Sequence, residues 1–132
     1  GTHSPKERLA ERVEVNRVIE YLHAHLEDKV TVETLAEVAH LSPSHFARVF
    51  RKETGKAPME YVQGIRLERA KKLLLAGDRS ISDIALECGF GSSSYLSSCF
   101  QKEYRMTPRE YRMGMEAAGT KSGGGRGRRS SG

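Results

Sequence analysis

The sequence contains no tryptophan, and its five Tyr and four Phe are few for 132 residues. Only 37% of the chain is hydrophobic, which suits small helical cores better than an enzyme with a deep pocket. Cys88 and Cys99 are the only cysteines, too few in a helical chain to read as a disulfide framework. No run of about 18 apolar residues exists to make a transmembrane helix. The polar, charged start does not read as a signal peptide. No Ser/His/Asp set, Gly-rich phosphate loop or zinc-ligand spacing is present, so an enzyme is not expected and no catalytic residue is assigned. His23 and His25 stand two apart, which on a helix turns them about 200° from each other and keeps them from sharing an ion. No metal site and no cofactor are expected; Cys88 and Cys99 read as small buried hydrophobes. These absences give the expectation of a soluble, cytoplasmic protein without membrane contact. Residue 1 is Gly rather than Met, so a processed or excised piece is expected, with residues 1–4 a cloning remnant.

Positive charge is the first thing present. The net charge is +5 and the isoelectric point is near 9.4, a balance that favours phosphate-bearing partners. The excess is uneven: five Lys/Arg against six Asp/Glu in residues 1–29, thirteen against ten in 30–113, four against one in 114–132. The middle of the chain is only mildly basic, so charge alone makes a weak case for nucleic acid.

Helical periodicity is the second feature. Val15, Val18, Ile19, Leu22 and Leu26 recur at spacings of three and four, predicting a helix from about Val13. Thr31 reads as an N-cap before Val32, Leu35, Ala36 and Ala39, and His40-Leu41 as a turn. Ser42-Pro43 then opens a helix carrying Phe46, Val49 and Phe50, because Pro loses nothing at the first helical position. Gly55 ends it. Pro58 starts a longer helix to Ala76, with Gly77 after it. Ser80 caps Ile81, Ile84 and Ala85, with Asp83 completing a capping signature. Cys88-Gly89-Phe90-Gly91 makes a turn, Ser92 caps the segment with Leu96, Cys99 and Phe100, and Thr107-Pro108 opens the last helix with Glu110 and Tyr111.

These segments repeat. Thr31, Leu35, Ala36 and Leu41 match Ser80, Ile84, Ala85 and Phe90 at an offset of 49. Ser42, Phe46, Phe50, Lys52, Glu53, Pro58 and Tyr61 match Ser92, Leu96, Phe100, Lys102, Glu103, Pro108 and Tyr111 at an offset of 50. One extra residue near Gly91 accounts for the change. Each copy is two short helices joined by a tight turn, the grammar of a helix-turn-helix whose second helix enters the DNA major groove. A helical array that binds protein is the alternative from a different class; a nucleoid-type binder with little sequence preference is the alternative within DNA binding.

The two copies, with Arg66-Leu67, Ala70 and Leu73-Leu74 between them, resemble the DNA-binding domain of the AraC/XylS family of bacterial transcription regulators. Ile81-Ser82-Asp83-Ile84-Ala85, Gly89-Phe90, Ser94-Tyr95-Leu96, Phe100-Gln101-Lys102 and Thr107-Pro108 with Tyr111 carry the same resemblance, which spans about Val13 to Met113. It implies an all-α fold of about seven helices: two helix-turn-helix subdomains joined by a long central helix, their recognition helices in successive major grooves. The expected organisation is a flexible segment 1–12, a first subdomain 13–57, a linker helix 58–76, a second subdomain 77–113, and a disordered Gly/Ser/Arg-rich tail 114–132. A 19-residue linker helix is about 28 Å long, of the order of one DNA turn. The resemblance also implies contact with RNA polymerase, a monomeric isolated domain, and a longer effector-responsive protein that is dimeric through a domain absent here.

If Phe46, Val49 and Phe50 face inward, Ser44, Arg48 and Arg51 face outward, flanked by Ala47 and Lys52. Arg48 is the leading base reader, since a guanidinium can bond two acceptors on a guanine edge. Ser44 and Ala47 are expected beside it on bases. His45, Arg51, Lys52 and Lys56 suit the DNA backbone, although His45 could equally pack on the turn. In the second copy Ser94, Ser97 and Ser98 are the base-facing set, with Ser93, Tyr95, Gln101 and Lys102 on the backbone. The resemblance implies a longer polar or basic residue where Ser98 stands, so the first copy is expected to dominate specificity. Arg126, Arg128 and Arg129 in the tail would add salt-sensitive attraction at most.

Overall fold

The computed structural model describes residues 5–121, with side chains to residue 114. Among them all regular structure is helical: α1 (Pro5–Ala24), α2 (Val32–Ala39), α3 (Pro43–Thr54), α4 (Pro58–Ala76), α5 (Ile81–Glu87), α6 (Ser93–Tyr104) and α7 (Pro108–Lys121). The seven helices match the all-α architecture implied by the sequence. The chain divides into two compact units, residues 1–66 and 67–132, with the boundary inside α4.

Two ends differ from expectation. Apolar periodicity starts the first helix near Val13 after a flexible segment, whereas α1 begins at Pro5. Residues 6–12 are mostly good helix formers, and Pro5 suits a first helical position. They carry no apolar stripe because the inner face is acidic there, at Glu11 and Glu14, before it turns apolar at Val15, Val18 and Leu22. Composition predicts disorder from Gly114, whereas the α7 backbone stays helical to Lys121. The tail arginines 126, 128 and 129, and residues 1–4, lie outside the described residues.

In the first unit, Val18 and Leu22 of α1, Leu35 and Ala36 of α2, Phe46 and Phe50 of α3, and Val62 of α4 form one buried cluster. Phe46 and Phe50 are fully buried, each contributing roughly 1.5–3 kcal/mol by removal from water. The Phe50 ring meets Tyr61 edge-on at 5.2 Å. In the second unit, Leu67, Ala70 and Leu74 of α4 pack with Ile84, Ala85, Cys88, Phe90, Leu96 and Phe100. Phe100 there meets Tyr111 at 5.5 Å, the counterpart of the Phe50–Tyr61 contact.

Capping repeats with the cores. Thr31 and Ser42 accept from the backbone N–H groups of Thr34 (3.1 Å) and His45 (3.3 Å). Ser80 and Ser92 accept from those of Asp83 (3.0 Å) and Tyr95 (3.2 Å). Each satisfies a donor that the first helical turn leaves open. Thr107 and Glu110 form a full capping box on α7, at 2.9 and 3.1 Å.

The turns repeat as well. Leu41 N–H bonds the Ala36 carbonyl at 3.0 Å, and Phe90 N–H bonds that of Ala85 at 2.8 Å. The left-handed residue is His40 (φ 60°) in the first turn and Gly89 (φ 89°) in the second. Gly91, at φ 84°, is the extra residue that shifts the offset from 49 to 50. Beyond the recognition helices, Gly55 (φ 81°) and Arg105 (φ 63°) hold equivalent left-handed caps, each donating 2.8 Å back to a carbonyl four residues earlier.

Candidate nucleic-acid interface

α3 and α6 occupy 43–54 and 93–104, the spans expected for recognition helices. Burial of Phe46, Val49 and Phe50 fixes the roll of α3. Ser44, Arg48 and Arg51 are exposed on the other side, Lys52 is exposed at its flank, and Ala47 and His45 are half-buried. Lys56 is exposed just past the Gly55 cap. One cation-bearing face thus stands opposite one aromatic face on a twelve-residue helix.

α6 is rolled by Leu96 and Phe100, both fully buried. Ser94, Ser98, Gln101 and Lys102 are exposed, while Ser93 and Ser97 are half-buried. Tyr95 is 50% exposed, and its ring packs edge-on against Phe90 of the turn at 5.8 Å. Tyr95 therefore both joins the outward face and braces the turn. Cys99 is half-buried and Cys88 fully buried, and the two are not joined in a disulfide. Elsewhere, His25 Nδ1 lies 3.0 Å from Asp28, and its ring stacks on Tyr21.

Sequence reasoning missed the groups that hold these helices in place. Arg66, on α4, is buried and donates from Nη2 to the Asp28 carbonyl at 2.9 Å, in the segment leading into α2. Arg112, on α7, donates from Nε to the Leu74 carbonyl at 3.2 Å and from Nη2 to the Arg79 carbonyl at 2.8 Å, in the segment leading into α5. In each unit the helix that follows the recognition helix sends a guanidinium to the loop before the partner helix. Its five N–H donors suit it to hold several carbonyls at once. Periodicity treats a buried Arg as an outward residue, so Arg66 enters the sequence reading only as part of the family motif and without this role.

Tyr104, at the end of α6, donates to Glu68 of α4 at 3.1 Å. Lys71 lies 4.7 Å over the same ring and 3.6 Å from Glu68. Burial, and then the bond to Glu68, push the Tyr104 phenol well above its ordinary pKa. In the first unit α1 approaches α3 through ions instead: Lys52 Nζ lies 3.2 Å from Glu11, and Arg12 Nε lies 3.8 Å from Glu53. No helix among the described residues is long and apolar enough to cross a membrane.

The helix-turn-helix domain family model matches residues 35–114. The chain is 38% identical over 104 residues to the HTH-type transcriptional activator RhaS of Enterobacter sp. (strain 638), covering 79% of this chain and 37% of that protein. It is 34% identical over 106 residues to the bifunctional transcriptional activator/DNA repair enzyme AdaA of Bacillus subtilis, covering 80% of this chain and 50% of that protein. The chain thus spans half or less of the length of these curated relatives. Among solved structures, the DNA-binding domain of the global transcriptional factor AdpA, in complex with a target DNA, superposes with a TM-score of 0.75 at 32% identity, covering 84% of this chain and 98% of that one. An AraC-type regulator from Chromobacterium violaceum gives a TM-score of 0.71 at 29% identity, covering 77% and 91%. The chain belongs to the AraC-type helix-turn-helix family and carries that family's DNA-binding domain.

Proposed function

We propose that α3 and α6 enter successive major grooves of duplex DNA and that α3 supplies most of the sequence preference. The observation that carries this reading is the pairing of an exposed Arg48 with a fully buried Phe46–Phe50 face on one capped helix. The packing sets the roll, and the roll aims a guanidinium that can take both acceptors of a guanine edge. Ser44 and Ala47 flank it against bases, and His45, Arg51, Lys52 and Lys56 serve the backbone. In α6, Ser94, Ser97 and Ser98 offer short hydroxyls to bases, while Ser93, Tyr95, Gln101 and Lys102 serve the backbone.

Selection of bound duplexes from random DNA defines the site; Arg48→Ala then weakens binding to it by about 1–3 kcal/mol and relaxes preference at one position. Unchanged site preference in that variant would refute the assignment. The whole protein, on this reading, is a cytoplasmic, non-enzymatic transcription regulator that contacts RNA polymerase. This domain binds as a monomer. AdaA is also a DNA repair enzyme by name.

A further inference from the structure

We infer that Glu11 of α1 controls how strongly Lys52 of α3 contributes to DNA binding, by engaging its ammonium in an ion pair. The inference rests on reading α3 as a DNA-facing helix. The pair measures 3.2 Å, and its two ends are unequal: the Glu11 side chain is 12% exposed and that of Lys52 47%. The carboxylate is built into the α1–α3 contact, on the same inner face as Val15 and Val18 one and two turns on. The ammonium sits at the edge of the protein, one turn beyond Arg48 and next to Arg51.

A lysine ammonium has three donors, so Lys52 can bond Glu11 and still meet a phosphate. The phosphate would then approach a carboxylate at close range, and like charges in a partly desolvated setting repel strongly. Leaving Glu11 for a phosphate would take a cation away from a mostly buried carboxylate, which costs more than losing a fully exposed pair. Either way Glu11 cancels much of the attraction that Lys52 would exert. The neighbouring Arg12–Glu53 pair has the opposite sense, base on α1 and acid on α3, and joins the same turn of α1 to α3. Glu11 thereby keeps sequence-independent backbone attraction low on the helix that carries the leading base reader.

The test is the salt dependence of binding to a fluorescent duplex of random sequence between 50 and 200 mM KCl, by anisotropy. Each phosphate neutralised adds about 0.9 to the slope of log K against log salt. Glu11→Gln should steepen the slope by about that amount and tighten binding at low salt. Lys52→Ala alone should lower the wild-type slope by well under about 0.9, because Glu11 already offsets most of its attraction, and E11Q/K52A should fall back to the slope of K52A. Glu11→Ala should behave as E11Q does, and circular dichroism of each variant reports that the helices are intact. A wild-type slope in E11Q and E11A, or a steeper slope surviving in E11Q/K52A, would overturn the inference. In the second case added net charge, not the release of Lys52, would be the cause. A wild-type protein that binds no duplex at 50 mM salt would instead overturn the DNA-facing reading of α3 beneath it.

Discussion

The duplication sets up an internal exchange experiment on the backbone. Two left-handed positions recur in each unit, and glycine occupies only one of each pair: Gly89 against His40 in the turn, Gly55 against Arg105 after the recognition helix. An L-residue in this region is destabilised by roughly 1–2 kcal/mol through the approach of its Cβ to the following carbonyl. Glycine avoids that cost but gives up roughly 0.5–1 kcal/mol more chain entropy on folding. The difference leaves about 0.5–1 kcal/mol in favour of glycine at each site. Arg105→Gly and His40→Gly should therefore stabilise by about that much, and Gly55→Ala should destabilise by a similar amount. At Gly55 nothing lies within 4 Å of the point a Cβ would occupy, so its penalty is backbone strain with no steric clash added. Urea unfolding followed by far-ultraviolet circular dichroism resolves shifts of this size when the slopes stay equal. Destabilisation by Arg105→Gly with a neutral Gly55→Ala would refute the assignment of strain to these caps.

Arg112→Ala strands the Leu74 and Arg79 carbonyls and should cost about 1.5–3 kcal/mol in urea unfolding, with Arg112→Lys recovering only part because an ammonium cannot span both acceptors in one plane. The raised pKa of Tyr104 makes the folded state hold that proton more tightly than the unfolded chain. Its contribution is full below the ordinary tyrosine value of about 10 and is lost as pH rises above it, so Tyr104→Phe should flatten the alkaline limb of a stability-versus-pH curve. Ser98→Arg should place a guanidinium on the exposed face of α6 and tighten duplex binding with a steeper salt slope; an unchanged slope would show that this position does not approach DNA.

The recognition helices and their caps were legible in the sequence because several independent signals coincide there. Ser42-Pro43 and Ser92 mark the starts, Phe46/Phe50 and Leu96/Phe100 mark the inner faces, and the offset of 49 changing to 50 locates Gly91. Each signal reflects a local requirement, either a donor to satisfy or an apolar face to bury. The start of α1 was not legible, since its first two turns dock through Glu11 and Arg12, and a charged inner face carries no hydrophobic periodicity. Arg66 and Arg112 escaped for a related reason. Their partners are main-chain carbonyls 33 to 38 residues away, and a carbonyl has no side-chain signature. Lys52 was readable as a basic residue on the right helix, but its ion pair with α1 depends on how α1 packs.

The two copies diverge in a way that outward side chains alone do not describe. Lys52 and Lys102 are equivalent by offset, as are Glu53 and Glu103, but the helix that precedes each copy treats them differently. α1 addresses the end of α3 through Glu11 and Arg12, binding Lys52 and Glu53 in ion pairs. α4 addresses the end of α6 through Glu68 and Lys71, and both converge on the phenol and ring of Tyr104. A mutual ion pair neutralises the charge of a recognition-helix lysine, whereas a phenol anchor leaves the lysine charge out of the packing. The first unit therefore couples its Arg48-bearing helix to restrained backbone attraction. The second couples a serine-rich helix to an anchor that does not draw on Lys102. On the proposed reading, discrimination is weighted to α3 and sequence-tolerant contact to α6, a division of labour that would rest on the preceding helices as well as on the recognition helices.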